Sequence, residues 1–156
     1  RDRLRSRGLG DVYKRQYQGR GVPKSAAQAR KLWKAAAESG ETIALLNLGD
    51  DCAARGDNGK ALLWYRRARQ SAAAVPDIEY TPRVCLRLAQ YETRYTSRKK
   101  ALALAAEAKQ AFTILQREHE PDADCWLQEA EQLLYELTHE PPTAPAAYNI
   151  ESLQLD

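Results

Sequence analysis

No methionine occurs among the 156 residues. Translation starts on methionine, so an upstream segment is expected ahead of this sequence. No run of 18 apolar residues is present, so no membrane-spanning helix is expected. No basic stretch leading into a short apolar run marks a signal peptide, and the compartment stays open. Histidine is scarce, with only His119 and His139. The three cysteines, Cys52, Cys85 and Cys125, stand 33 and 40 residues apart. An odd number without C-x-x-C spacing is neither a zinc site nor a disulfide framework. Each falls within a helical pattern, so each reads as a small core residue. No glycine-rich phosphate loop is found, since Gly19 and Gly21 suit a turn instead. These absences give the expectation of no cofactor, no metal and no enzymatic activity.

The basic character is confined to one end. Residues 1–16 hold six Lys/Arg against two Asp, a net of +4, while the whole chain is +3. The rest therefore carries −1, too little positive charge to attract a polyanion, and nucleic acid is not an expected partner. The string Gly10 to Gln16, G-D-V-Y-K-R-Q, resembles the in-frame translation of a transposon-end adapter used in sequencing libraries. Residues 1–16 are accordingly expected to be an adapter-derived or disordered leader and are set aside from the fold.

What remains is dominated by apolar spacings of three and four with turn signals between them. A helix is expected from about Ser25 to Ser39, opened by a Ser25/Gln28 capping box and stopped by Gly40. The next runs from about Glu41 to Arg55 with Ala44, Leu45, Leu48 and Cys52 on one face. Gly56 breaks it, and Asp57 caps a third helix carrying Ala61, Tyr65, Ala68 and Ala72. Thr81-Pro82 restarts the chain, with Thr81 as cap and Pro82 at the first helical position. This fourth helix presents Val84, Cys85, Leu88, Tyr91 and Tyr95. After Thr96-Ser97 a long helix carries Ala101, Leu104, Ala105, Ala108, Ala111, Phe112 and Leu115 to about Glu118. Pro121-Asp122 begins the last, with Trp126, Leu127, Ala130, Leu133, Leu134 and Leu137. Residues 141–156, with three prolines in five positions, read as a disordered or loosely docked tail.

The pattern repeats. Ala29, Trp33 and Ala36 recur as Ala61, Tyr65 and Ala68, 32 residues on, and the alanines recur as Ala101 and Ala108, a further 40 on. Small residues at fixed places let paired helices approach closely, and an aromatic fills the gap. Helix–turn–helix units at such periods indicate a solenoid. The fold expected over residues 17–140 is all-α, about three helix pairs plus a terminal helix.

Particular residues sharpen this. Tyr17 to Ser25, Y-Q-G-R-G-V-P-K-S, resembles the inter-helix loop of Sel-one-like repeats, and Ala29, Ala36, Ala37 and Gly40 continue that signature. Asn47-Leu48-Gly49 and Trp64-Tyr65 resemble the N-L-G and W-Y of the next repeat. Its short loop, Arg55 to Gly59, is closer to an ordinary tetratricopeptide repeat. The third pair keeps only Leu88, Ala89, Ala101 and Ala108. The resemblance covers Tyr17 to about Ala72 well and the rest weakly. It implies a scaffold that binds a protein or peptide partner. An alternative is a helical accessory domain of a larger enzyme or signalling protein whose N-terminal part lies upstream.

A binding surface is expected where the first helices of successive pairs line a groove. On the fourth helix Arg83, Arg87, Gln90 and Arg94 form one stripe, offset from the core face. The matching places 40 residues earlier are Ile43, Asn47, Asp50 and Ala54. Three guanidinium groups and an amide would suit an acidic peptide or a C-terminal carboxylate. The competing expectation is that the arginines pair with glutamates, since aligning core residues sets Glu129 and Glu136 opposite Arg87 and Arg94. A second cluster, His119, Asp122, Asp124 and Cys125, holds metal-ligating residue types. A turn with an Asp122 helix cap accounts for it without a metal.

Overall fold

The computed structural model describes residues 25–95, 97–139 and 153–155, and for 93–95 the backbone alone. The leader, the Tyr17–Lys24 loop, Thr96, the side chains of Arg94 and Tyr95 and most of the tail lie outside the described residues. The described chain is all-helical, with six helices and no strand: α1 (Ala26–Glu38), α2 (Thr42–Ala54), α3 (Asn58–Ala74), α4 (Tyr80–Tyr95), α5 (Arg98–Arg117) and α6 (Ala123–His139). It divides between Asp77 and Ile78 into two compact units, α1–α3 and α4–α6. Within each unit, consecutive helices pack against each other across short turns.

In the first unit, local chemistry sets the helix ends. Gln28 N–H donates to Ser25 Oγ at 3.1 Å and Ser25 N–H to Gln28 Oε1 at 3.3 Å, the reciprocal capping box. Gly40 takes φ +77° and Gly56 φ +80°, left-handed geometry that closes α1 and α2. Asp57 Oδ1 accepts from Lys60 N–H at 3.5 Å to open α3. α2 buries Ile43, Ala44, Leu45, Leu46, Leu48, Gly49, Asp51 and Cys52, which is most of its circumference. A helix apolar on that many sides must be covered twice, and α2 packs against both α1 and α3. The Asp51 carboxylate, buried in this layer, lies 2.9 Å from Arg55 and 3.5 Å from Arg30, tying α2 to α1.

The closest approach is between α2 and α3. A Cβ at Gly49 would sit 2.4 Å from Cε1 of Tyr65, whose side chain is 1% exposed. A glycine in mid-helix normally costs about 1 kcal/mol relative to alanine. Here the sign reverses. Gly49→Ala is expected to destabilise the fold by about 1–3 kcal/mol, because the Tyr65 ring has no space to yield. Urea midpoints check this, and a midpoint that rises would show that the ring moves aside without loss.

The second unit is built on α5, which packs against both α4 and α6. Cys85, Leu86, Ala108, Phe112, Leu115, Ala123, Leu127 and Ala130 form one cluster. Ala89, Ala101, Ala105 and Leu137 form the next, with Leu133 packed against both. α4 starts at Tyr80, so Thr81 and Pro82 lie inside its first turn rather than at the cap and first position. Proline is tolerated there because the first four N–H groups have no intrahelical acceptor. Ser97 caps α5 through Lys100 N–H. At its other end His119 adopts φ +58°, the place usually taken by glycine, and its N–H donates to Gln116 O at 3.0 Å. Asp122 (φ +66°) opens α6 through its carbonyl, which accepts from Trp126 N–H at 3.1 Å. The Arg98 guanidinium donates to Leu137 O at 2.6 Å through Nε, pinning the start of α5 to the end of α6.

Candidate functional site

The seven residues expected to line a groove fall on both units, and within each the structure gives them different roles. Ile43 is 6% exposed and belongs to the α2 core, because α2 is covered on two sides. Asn47 is half-buried, with its Nδ2 buried and unbonded among the described residues. Asp50 is half-buried and accepts from the Tyr65 hydroxyl at 2.6 Å. On α4, the Arg83 guanidinium lies over two rings, 5.2 Å from the centroid of Tyr80 and 5.0 Å from that of Trp126. Arg87 donates to Gln90 Oε1 at 3.2 Å and stands 3.9 Å from Glu129 Oε2. The Arg87–Glu129 approach is the pairing that the competing expectation named. The side chain of Arg94 lies outside the described residues.

In the second unit a shallow, open surface groove of about 540 Å³ is lined by six residues of α6 and one of α4. Gln90 comes from α4. Cys125, Gln128, Glu129, Gln132, Leu133 and Glu136 come from α6. Both helices rest on α5 and also touch each other, and Leu133 in the lining packs against both core clusters of the unit. On α6 the spacing explains the wall. Gln128, Gln132 and Glu136 are four apart, with Cys125 and Glu129 on the adjoining ridge, on the side of the helix turned away from the buried stripe Leu127, Ala130 and Leu137. Gln90 is the one residue of the expected stripe that lines this groove, and the α6 residues were not among those expected.

The wall is rich in carboxamides. Gln132 Nε2 donates to Glu136 Oε1 at 2.9 Å, which leaves Gln132 Oε1 as an acceptor. Gln90 Oε1 is engaged by Arg87, which leaves the Gln90 amide N–H groups as donors. Gln128 is exposed on the same wall. Such groups match the alternating N–H and C=O of an extended peptide main chain.

The cluster around His119 does not assemble. Among the described residues no group of three or more His, Cys, Asp or Glu side chains is placed to hold a metal ion. Asp124 instead accepts from Gln116 Nε2 at 2.7 Å. No helix among the described residues is long and apolar enough to cross a membrane.

The thiols differ sharply. Cys52 and Cys85 are buried as core residues, whereas Cys125, also expected in the core, is exposed in the groove lining because it lies on the outward side of α6. Burial pushes the Cys52 thiol up from its ordinary range, and the neighbouring Arg55 offsets that only in part. Native protein treated with excess iodoacetamide near pH 8 is therefore expected to take up one equivalent quickly, at Cys125, and two more only after denaturation. Peptide mapping by mass spectrometry checks this. Rapid native labelling of Cys52 or Cys85 would mean that the helices open on the labelling timescale.

No protein-family model, no curated protein and no solved structure matches this chain.

Proposed function

We propose that this protein is an interaction scaffold of the tetratricopeptide and Sel-one-like kind, which takes a peptide segment of a protein partner in the α4–α6 groove. The observation that carries this reading is the groove itself. It lies between the first helix of one hairpin and the helix that follows that hairpin, which is where helical repeats present a continuous surface. Its carboxamides and its partly buried Leu133 suit a peptide: amides for the main chain and an apolar contact for a side chain. Nucleic acid is a poor fit to a wall that carries Glu129 and Glu136, because phosphates would meet like charge.

Cys125 allows a direct test, since it is the exposed thiol in the wall. An array of random ten-residue peptides is probed with the full chain, either untreated or capped at Cys125 with a bulky maleimide. Peptides bound by the untreated protein are expected to be lost from the capped one. An unchanged set of bound peptides would place the binding surface elsewhere and sink the reading.

A further inference from the structure

We infer that the α4–α6 groove selects a basic peptide, one that presents two lysine or arginine side chains about three residues apart. This rests on the proposed peptide-binding role and reverses the ligand charge that the arginines of α4 suggest from sequence. Arg83 and Arg87 are already engaged. The Arg83 guanidinium lies over the rings of Tyr80 and Trp126, Arg87 donates to Gln90 and approaches Glu129, and neither arginine is among the residues that line the groove.

The opposite wall has the contrary charge. From Glu118 to Glu136 the chain carries seven Asp/Glu and no Lys or Arg. Two of these acids, Glu129 and Glu136, line the groove itself. The Glu129 side chain is 49% exposed, and its approach to Arg87, at 3.9 Å, is long for an ion pair. It retains acceptor capacity for a second cation. Glu136 is held in place by the Gln132 amide, which orients the carboxylate without neutralising it. The lining of the groove, among the described residues, therefore holds two carboxylates and no Lys or Arg, so a cationic side chain meets opposite charge here and an acidic one meets like charge.

Spacing narrows the ligand further. Glu129 and Glu136 are two helical turns apart, about 10 Å along α6. A peptide in polyproline II geometry brings residues i and i+3 to one side at a separation of about 9 Å. Two basic side chains at that interval reach both carboxylates, while the intervening main chain lies along Gln128 and Gln132.

The test uses three fluorescein-labelled ten-residue peptides on one alanine–glutamine carrier, bearing two lysines, two serines or two glutamates three residues apart. Fluorescence anisotropy with the full chain at low salt is expected to rank lysine above serine above glutamate. Glu129→Gln/Glu136→Gln is expected to weaken the lysine probe about tenfold, the order for two partly exposed charge pairs. The charge-matched variant Glu107→Gln/Glu131→Gln, changed outside the groove, is expected to leave it within about twofold, so a general effect of net charge is separated. Equal weakening by the two variants, or a serine or glutamate probe that binds as tightly as lysine, overturns the charge selection. In those cases binding that still disappears on capping Cys125 preserves the peptide groove. Failure of all three probes to bind, with no array peptide lost on capping, overturns both.

Discussion

Tyr65→Ala is expected to lower the free energy of unfolding by about 3–5 kcal/mol, the range for removing a fully buried aromatic ring. Tyr65 is 1% exposed and lies between α2 and α3, with Ala61 and Ala68, both 0% exposed, on its own face. Its ring occupies the space that Gly49 leaves open, so the small and the large residue form one packing unit. Truncation empties that space, and the backbones of two helices cannot collapse into it without breaking other contacts. The hydroxyl adds a second contribution, donating to Asp50 at 2.6 Å. Tyr65→Phe separates the two. It keeps the ring and removes the bond to Asp50, an expected loss of about 1 kcal/mol, because half-buried Asp50 regains water. Trp64, 6% exposed with Arg67 stacked 5.1 Å over its ring, makes the comparison, and Trp64→Ala is expected to cost less than Tyr65→Ala. Urea midpoints of the three variants decide it. A Tyr65→Ala loss no larger than that of Trp64→Ala would refute the assignment of Tyr65 as the residue filling the inter-helix gap.

The repeat phasing behind that expectation was legible because its signals are local or periodic. The Ser25/Gln28 box, Gly40, Gly56, Asp57 and Ser97 each act within one turn of a helix, and each stands where the sequence placed it. The alanines at 29, 61, 68, 101 and 108 are all 0% exposed, as close helix pairing requires. Ala36 marks the edge of that legibility: the neighbouring Ala37 is the buried residue. α4 begins one residue before Thr81, since a first turn admits proline at more than one position.

The candidate site was less legible, for a physical reason. A groove is a property of two helices brought together through a third. Arg83 looked like an open cation because its shield comes from Trp126, 43 positions later in the chain. Ile43 looked like a lining residue because the matching place on α4 faces outward, whereas α2 is covered on both sides. The Arg87–Glu129 approach was legible, because aligning core residues fixes which exposed residues stand opposite each other. The carboxamides of α6 carried no such flag, since glutamine on a helix face is ordinary until a neighbouring wall turns it into a groove.

Phe112→Ala is expected to cost about 3–5 kcal/mol as well, now in the second unit. Phe112 is the one phenylalanine in the sequence and is 0% exposed. It belongs to the cluster that joins α4, α5 and α6, with Cys85 and Leu86 from the first and Ala123, Leu127 and Ala130 from the last. Its ring centroid lies 5.6 Å from that of Trp126, inclined at 41°, within the favourable range for an aromatic pair. The cluster is closed by all three helices, so the neighbouring side chains can fill only part of the vacated space. Phe112→Leu fills much of the volume and is expected to cost about 1–1.5 kcal/mol. Leu133, half-buried beside the same cluster and lining the groove, provides the contrast. Leu133→Ala removes contacts on one side only, and water replaces the side chain on the other, so about 1–2 kcal/mol is expected. Urea unfolding followed by circular dichroism gives the order. If Phe112→Ala is no more damaging than Leu133→Ala, the groove wall and not the Phe112 layer holds these helices together, and the account of the second unit is wrong.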